Sequence, residues 1–284
     1  MRLDDEEESR HIEDRRGGGG GLPLGRLGIG GVIAAAALSY FFGVDFRDAQ
    51  QLVQGVQGMR QEAPAVESGP AKDESARFVS KVLRNTERTW AAQFAKRGGQ
   101  YQAPTLVLFR QGIDSACGYS SSAVGPFYCP GDQKLYIDLD FLDRLQQELG
   151  AQGEFARAYV VAHEVGHHIQ KLAGTSDKVH EARQRAGKAK GNQLSVRLEL
   201  QADCYAGVWG HDAQLQGRLE PGEVEQAIRA AHAIGDDTLQ KRAGQAVQPE
   251  QFSHGSAEQR ARWFMRGMES GDPGSCDTFA AGAI

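Results

Sequence analysis

The sequence predicts an α+β domain standing behind one apolar, membrane-spanning N-terminal helix. Three observations predict it. Short strand-like runs come first in the folded part, helical periodicity dominates after residue 141, and an uncharged stretch at 27–44 precedes both. The 284 residues suffice for one substantial domain plus appendages. The formal net charge is −5 and no basic stripe is present, so a nucleic-acid partner is not expected.

The N-terminal region divides into zones. Residues 1–26 ("DDEEESRHIEDRRGGGGG" and its flanks) are charged and then glycine-rich, a composition expected to stay disordered. Residues 27–44, "LGIGGVIAAAALSYFFGV", are long enough to cross a bilayer, and Tyr40, Phe41 and Phe42 sit where an interfacial belt belongs. Arg2, Arg10, Arg15, Arg16 and Arg26 lie upstream, against only Arg47 and Arg60 in the next stretch. The positive-inside rule then leaves the leader in the cytoplasm and exports everything after residue 45. A cleaved signal peptide would export the same part, but its leader would be unusually long and acidic. Residues 45–72 read as a polar linker, and 73–284 as the domain.

Within the domain, Val79, Val82, Leu83, Thr86, Trp90 and Phe94 recur at helical spacing behind an acidic first turn. "PTLVLF" (104–109) reads as a strand. "KLYIDLDF" alternates Leu135, Ile137 and Leu139 with Tyr136, Asp138 and Asp140, the pattern of a half-buried strand that suits a sheet edge. Helices are expected at roughly 141–149, 154–173, 193–210, 222–234 and 256–269. Cys117, Cys129, Cys204 and Cys276 show no C-x-x-C spacing, and in an exported chain an even number reads as two disulfides. Three pairings are open. The local one, Cys117 with Cys129, closes a glycine- and serine-rich loop and leaves Cys204 with Cys276.

The chemistry concentrates in "YVVAHEVGHHIQ", residues 159–170. Phe155, Ala158, Tyr159, Ala162, Gly166, Ile169 and Leu172 trace an apolar stripe, and Gly166 on it would admit a close neighbour. His163 and His167, at i and i+4, share the stripe's edge and can grip one zinc ion. Glu164 lies between them in H-E-x-x-H, on a different face. His168 points elsewhere and is expected to be solvated. A catalytic zinc needs a third protein ligand and an open position. "SVRLELQADCYAGVWG" offers Glu199 as that ligand, with Asp203 one turn on to hydrogen-bond the far nitrogen of a ligating histidine.

H-E-x-x-H followed by E-x-x-x-D resembles the gluzincin arrangement of metallopeptidases. The strings "GPFYCPGDQKLYIDLDF", "AHEVGHHIQ", "RLELQADCYAGVW" and "HGSAEQRARWF" together resemble the bacterial neutral zinc metallopeptidase family, the YpfJ-like proteins. So does the plan of leader, single anchor and exported domain. The resemblance spans nearly the whole chain and implies a zincin-like fold holding one Zn²⁺, in the cytoplasmic membrane of a bacterium. It also implies that His254 plays the downstream histidine that supports the oxyanion, although Ser256 and Gln259 form a capping box that gives His254 a purely local reason to be there.

These readings converge on a membrane-anchored zinc peptidase acting on peptide or protein substrates, with Glu164 as general base. Two alternatives use the same fold: a catalytically silent envelope scaffold, and an amidase on cell-wall peptides. Glu164 argues against the first, because a binding module needs the ligands but not the base.

Overall fold

The computed structural model describes residues 1–16, 67–68, 73–110, 112–121, 125–147 and 153–284. The chain separates into one unit of residues 1–14 with 68–284 and a second of residues 15–67. The apolar stretch 27–44 and nearly all of the linker lie outside the described residues. Among the described residues no helix is long and apolar enough to cross a membrane.

The first unit is α+β. The described strands are β1 (Ile12–Asp14), β2 (Glu67–Ser68), β3 (Thr105–Phe109), β4 (Gly112–Ser115), β5 (Gly118–Ser121), β6 (Phe127–Cys129) and β7 (Lys134–Asp138). Its described helices are α1 (Glu74–Ala95), α2 (Leu139–Gln147), α3 (Glu154–Leu172), α4 (Thr175–Arg185), α5 (Lys188–Leu215), α6 (Glu223–Ala233), α7 (Asp236–Arg242) and α8 (Ala257–Ser270). The five-stranded sheet runs β2-β1-β3-β7-β6, with β1, β3 and β7 parallel and β6 antiparallel to β7; β4 and β5 form a separate hairpin.

Period-two alternation divides the sheet's two faces. Leu106, Leu108, Leu135 and Ile137 join the helical core, while Val107, Phe109, Cys129 and Tyr136 pack with Ile113 and Phe127 on the opposite face. The α1 prediction holds from its Asp73 cap, which accepts from the Ala76 N–H at 2.9 Å, to buried Trp90. Helix α5 is longer than its periodicity suggested, and the cysteine loop carries β5 and β6, with β4 just before it. Both disulfides are formed, Cys117–Cys129 and Cys204–Cys276.

Three glycines let the helices that carry the site approach closely. A Cβ on Gly166 would lie 2.9 Å from the Ala202 carbonyl oxygen, so only glycine lets α5 come this near α3. At the α5–α8 crossing Gly207 and Gly267 face one another's backbones, and a Cβ on either would fall about 2 Å from the Phe264 or Cys204 oxygen respectively.

Two expectations need correction. "KLYIDLD" is not an edge: β7 pairs with β3 on one side and β6 on the other. Tyr136 and Asp138 are buried in it and make hydrogen bonds there. The Tyr136 hydroxyl donates to Asp132 at 2.7 Å, and Asp138 accepts from the Asp140 N–H at the start of α2. The edge is β6.

The leader is the second correction. Its first fourteen residues are not disordered but fold into the domain's own unit. Leu3 and Ile12 are buried in the core, and β1 pairs with β3. The acidic run is neutralised by a basic face on α1 and by Arg218. Buried Glu6 receives Arg88 at 2.8 Å and Asn85 at 2.9 Å, Arg84 pairs with Glu7, and Lys81 donates to the Leu3 carbonyl. Composition predicted disorder because these partners lie some eighty residues away.

A single crossing by 27–44 would put β1 and β3 on opposite sides of a bilayer, which is incompatible with their pairing. That pairing predicts that residues 1–14 and 73–284 share one side of any membrane. Asp4 and Lys178 are both exposed. In intact cells, Asp4→Cys and Lys178→Cys chains should react alike with a membrane-impermeant maleimide. Labelling of position 178 alone would separate the leader from the domain.

Candidate metal centre

Helix α3 supplies His163, Glu164 and His167, and α5, brought close by Gly166, supplies Glu199 and Asp203. Ligand atoms of His163, His167 and Glu199 all lie within 4.8 Å of one another. His163 Nε2 stands 3.2 Å from one Glu199 oxygen and His167 Nε2 3.5 Å from the other. The three converge on one point from two helices.

The far nitrogens are held as well. His163 Nδ1 lies 2.7 Å from Asp203 Oδ1 and donates to it. His167 Nδ1 donates to Gln170 Oε1 at 2.9 Å, and Gln170 is pinned in turn by donating to the Leu198 carbonyl and to Gln201. With Nδ1 carrying the proton on both rings, both Nε2 lone pairs face the common point. Gln170 was not anticipated, although it stands three residues after His167 on the same helix and so within reach.

Asp203 is fully buried and heavily satisfied. It accepts from the Tyr159 hydroxyl at 2.6 Å and from Arg260 through Nε at 2.9 Å and Nη2 at 3.0 Å. Burial alone would raise its carboxyl, but Arg260 and His163 outweigh that and hold it at about 2. Arg260 was also missed. Its signal was a charge on the otherwise apolar stripe of α8, where Ala261, Trp263 and Phe264 are buried.

The surrounding carboxylates favour positive charge at the two rings. Burial would lower His163, yet Asp203 and Glu199 drive it up to about 10, and His167 is raised too, against its burial, by Glu199. Glu199 stays well below the usual carboxylate range although burial opposes this, because both histidines face it. Glu164 is pushed the other way, by burial, and its Oε2 is enclosed without a hydrogen-bond partner. Two imidazoles, a carboxylate and an orphaned carboxylate oxygen beside them fit a catalytic zinc site.

The centre opens into a cleft of about 820 Å³. One wall is β6 with Phe127 and Tyr128; the other includes Ile234, Leu239 and His254. His254 is half-exposed at this wall, its Nδ1 3.3 Å from Asp236 Oδ1. Asp236 also accepts the backbone N–H groups of Ser253, His254 and Gly255, so one carboxylate hangs the whole loop. That hydrogen bond raises the His254 pKa. The capping box is present too, Ser256 and Gln259 each accepting from the other's backbone N–H. Asp236 carried no sequence signal, because nothing local ties it to residue 254. His168, expected in solvent, is buried.

A family model described as "Putative neutral zinc metallopeptidase" matches residues 1–279. The chain belongs to that family. It is 47% identical to the uncharacterized protein YpfJ of Escherichia coli K12, across 98% of this chain and 99% of that protein. It is 45% identical over 192 residues to the uncharacterized protein Rv2575 of Mycobacterium tuberculosis H37Rv, covering 64% of each. No solved structure matches the chain.

Proposed function

We propose that this chain is a zinc-dependent endopeptidase that cuts extended peptide segments. The observation that carries the reading is the orphaned Glu164 oxygen beside the convergent His163, His167 and Glu199. Zinc held there supplies the Lewis acidity that activates water and polarises a scissile carbonyl. Glu164, with one carboxylate oxygen free and its affinity for a proton raised by burial, takes the water's proton and returns it to the leaving amine. His254, oriented by Asp236, whose hydrogen bond raises its pKa, donates to the developing oxyanion from the cleft wall. Strand β6 closes one edge of the sheet and lines the cleft, so a peptide can add to it by main-chain hydrogen bonds. Folded proteins cannot offer a strand to that edge and are expected to resist.

The same reading places the enzyme outside the cytoplasmic membrane, where the two disulfides persist. The test is a comparison of protein N-termini in cells producing the wild type or Glu164→Gln, with metal analysis of both purified chains. New N-termini that need Glu164, and about one zinc per chain in each protein, are expected. Identical N-termini in both cultures would remove the protease reading, and altered cell-wall peptides in their place would favour the amidase.

A further inference from the structure

His168 follows the ligand His167 directly on α3, is 1% exposed, and has no part in the mechanism above. Its Nε2 lies 2.7 Å from the Gln102 carbonyl oxygen and its Nδ1 3.1 Å from the Tyr128 hydroxyl. A carbonyl oxygen only accepts, so Nε2 carries the proton and Nδ1 the lone pair. The Tyr128 hydroxyl therefore donates to His168. Tyr101 and Tyr128 both pack edge-on against the imidazole, at 6.0 and 5.5 Å between ring centroids.

The strand at the other end of this relay is short and lies at the sheet edge. β6 has three residues and one neighbouring strand, β7. Its side chains alternate. Phe127 stacks on Tyr136 at 4.7 Å, and Cys129 is bonded to Cys117 at the β4–β5 turn, both on the face away from the helices. Tyr128 faces the helical layer and lines the cleft. The hydrogen bond to His168 ties it to the metal helix. An apolar side chain would fill the His168 site without the cost of burying two ring nitrogens. What it would lose is a directional link between the metal helix and the strand that forms the opposite cleft wall.

We propose that His168, acting through Tyr128, is a positioning residue that fixes the edge strand relative to the metal ligands and so sets the width of the peptide cleft. His167 and His168 are consecutive on one rigid helix, so ligand and strand are referenced to the same turn. The role rests on the endopeptidase reading for its consequence, but the clamp itself is a property of the fold.

The test uses the full zinc-loaded chain with Tyr128→Phe, which keeps the ring and removes the hydroxyl, and with His168→Gln. For an extended peptide substrate, Tyr128→Phe should raise KM about three- to tenfold, the range expected for one hydrogen bond, with kcat changed less than about twofold. Zinc content should be unchanged. Backbone hydrogen exchange at residues 127–129 should accelerate while α3 stays protected. The double variant should be no worse in KM than the poorer single variant, because both break one relay. A lower melting temperature with unchanged KM and unchanged exchange at β6 would assign the pair a merely structural role and overturn the proposal. So would additive effects in the double variant. If the wild type cleaves no peptide, the endopeptidase reading fails, and the exchange measurement still decides the clamp.

Discussion

Glu164→Gln should lower kcat about 10²–10⁴-fold, the usual contribution of a positioned general base. That corresponds to about 2.7–5.4 kcal/mol of transition-state stabilisation. Zinc content should stay at wild-type level, since the cluster that could hold the ion is His163, His167 and Glu199, and Glu164 is not part of it. The substitution should also leave the fold as stable as before, or more so. Glu164 is a buried carboxylate with an oxygen that satisfies no protein group, and a neutral isostere removes its desolvation cost. His163→Ala provides the contrast by losing the metal itself. Turnover on a peptide, metal content and thermal melting of the three proteins separate these roles. Wild-type turnover from Glu164→Gln would end the assignment of Glu164 as base.

Asp203→Asn should be costly in a different way. The sequence suggests only a partner for a ligating histidine, whose loss weakens zinc binding by about 10–100-fold. The structure adds a buried guanidinium. Arg260 is 3% exposed and Asp203 is its only anionic hydrogen-bond partner among the described contacts. Removing that charge leaves Arg260 uncompensated in the core, a change that costs about 3–5 kcal/mol in comparable buried pairs. Chemical denaturation should show this loss in the metal-free protein as well as the loaded one. Adding Arg260→Met should restore much of the stability without restoring zinc affinity, because the guanidinium's demand disappears while His163 still lacks its anion. An Asp203→Asn protein of unchanged stability would mean that Arg260 is not dependent on this carboxylate.

The metal centre was legible because its information is local. His163 and His167 are one helical turn apart, as are Glu199 and Asp203, and a helix converts that spacing into a shared face whatever else surrounds it. Gly166 was legible for the same reason: a glycine on an apolar stripe marks a close neighbour, here Ala202. What spacing does not encode is which neighbour an element meets. "KLYIDLD" alternates as an edge strand does, yet it is interior, because β6 pairs along it and Tyr136 and Asp138 find their hydrogen bonds inside. Asp236 reaches His254 across eighteen residues, and Arg260 reaches Asp203 across fifty-seven. His168 looked free until Tyr128 and Gln102 were brought against it.

The leader shows the division most sharply. By composition alone residues 1–14 cannot bury enough apolar surface to fold by themselves, and that inference about an isolated segment is sound. In the domain they need not. Arg84, Arg88 and Arg218 offset their charge, and β3 accepts β1 as a neighbour. Periodicity along the chain thus determined each element's chemistry. Long-range charge pairing and strand order, which depend on residues far apart in sequence, were decided only when the chain folded.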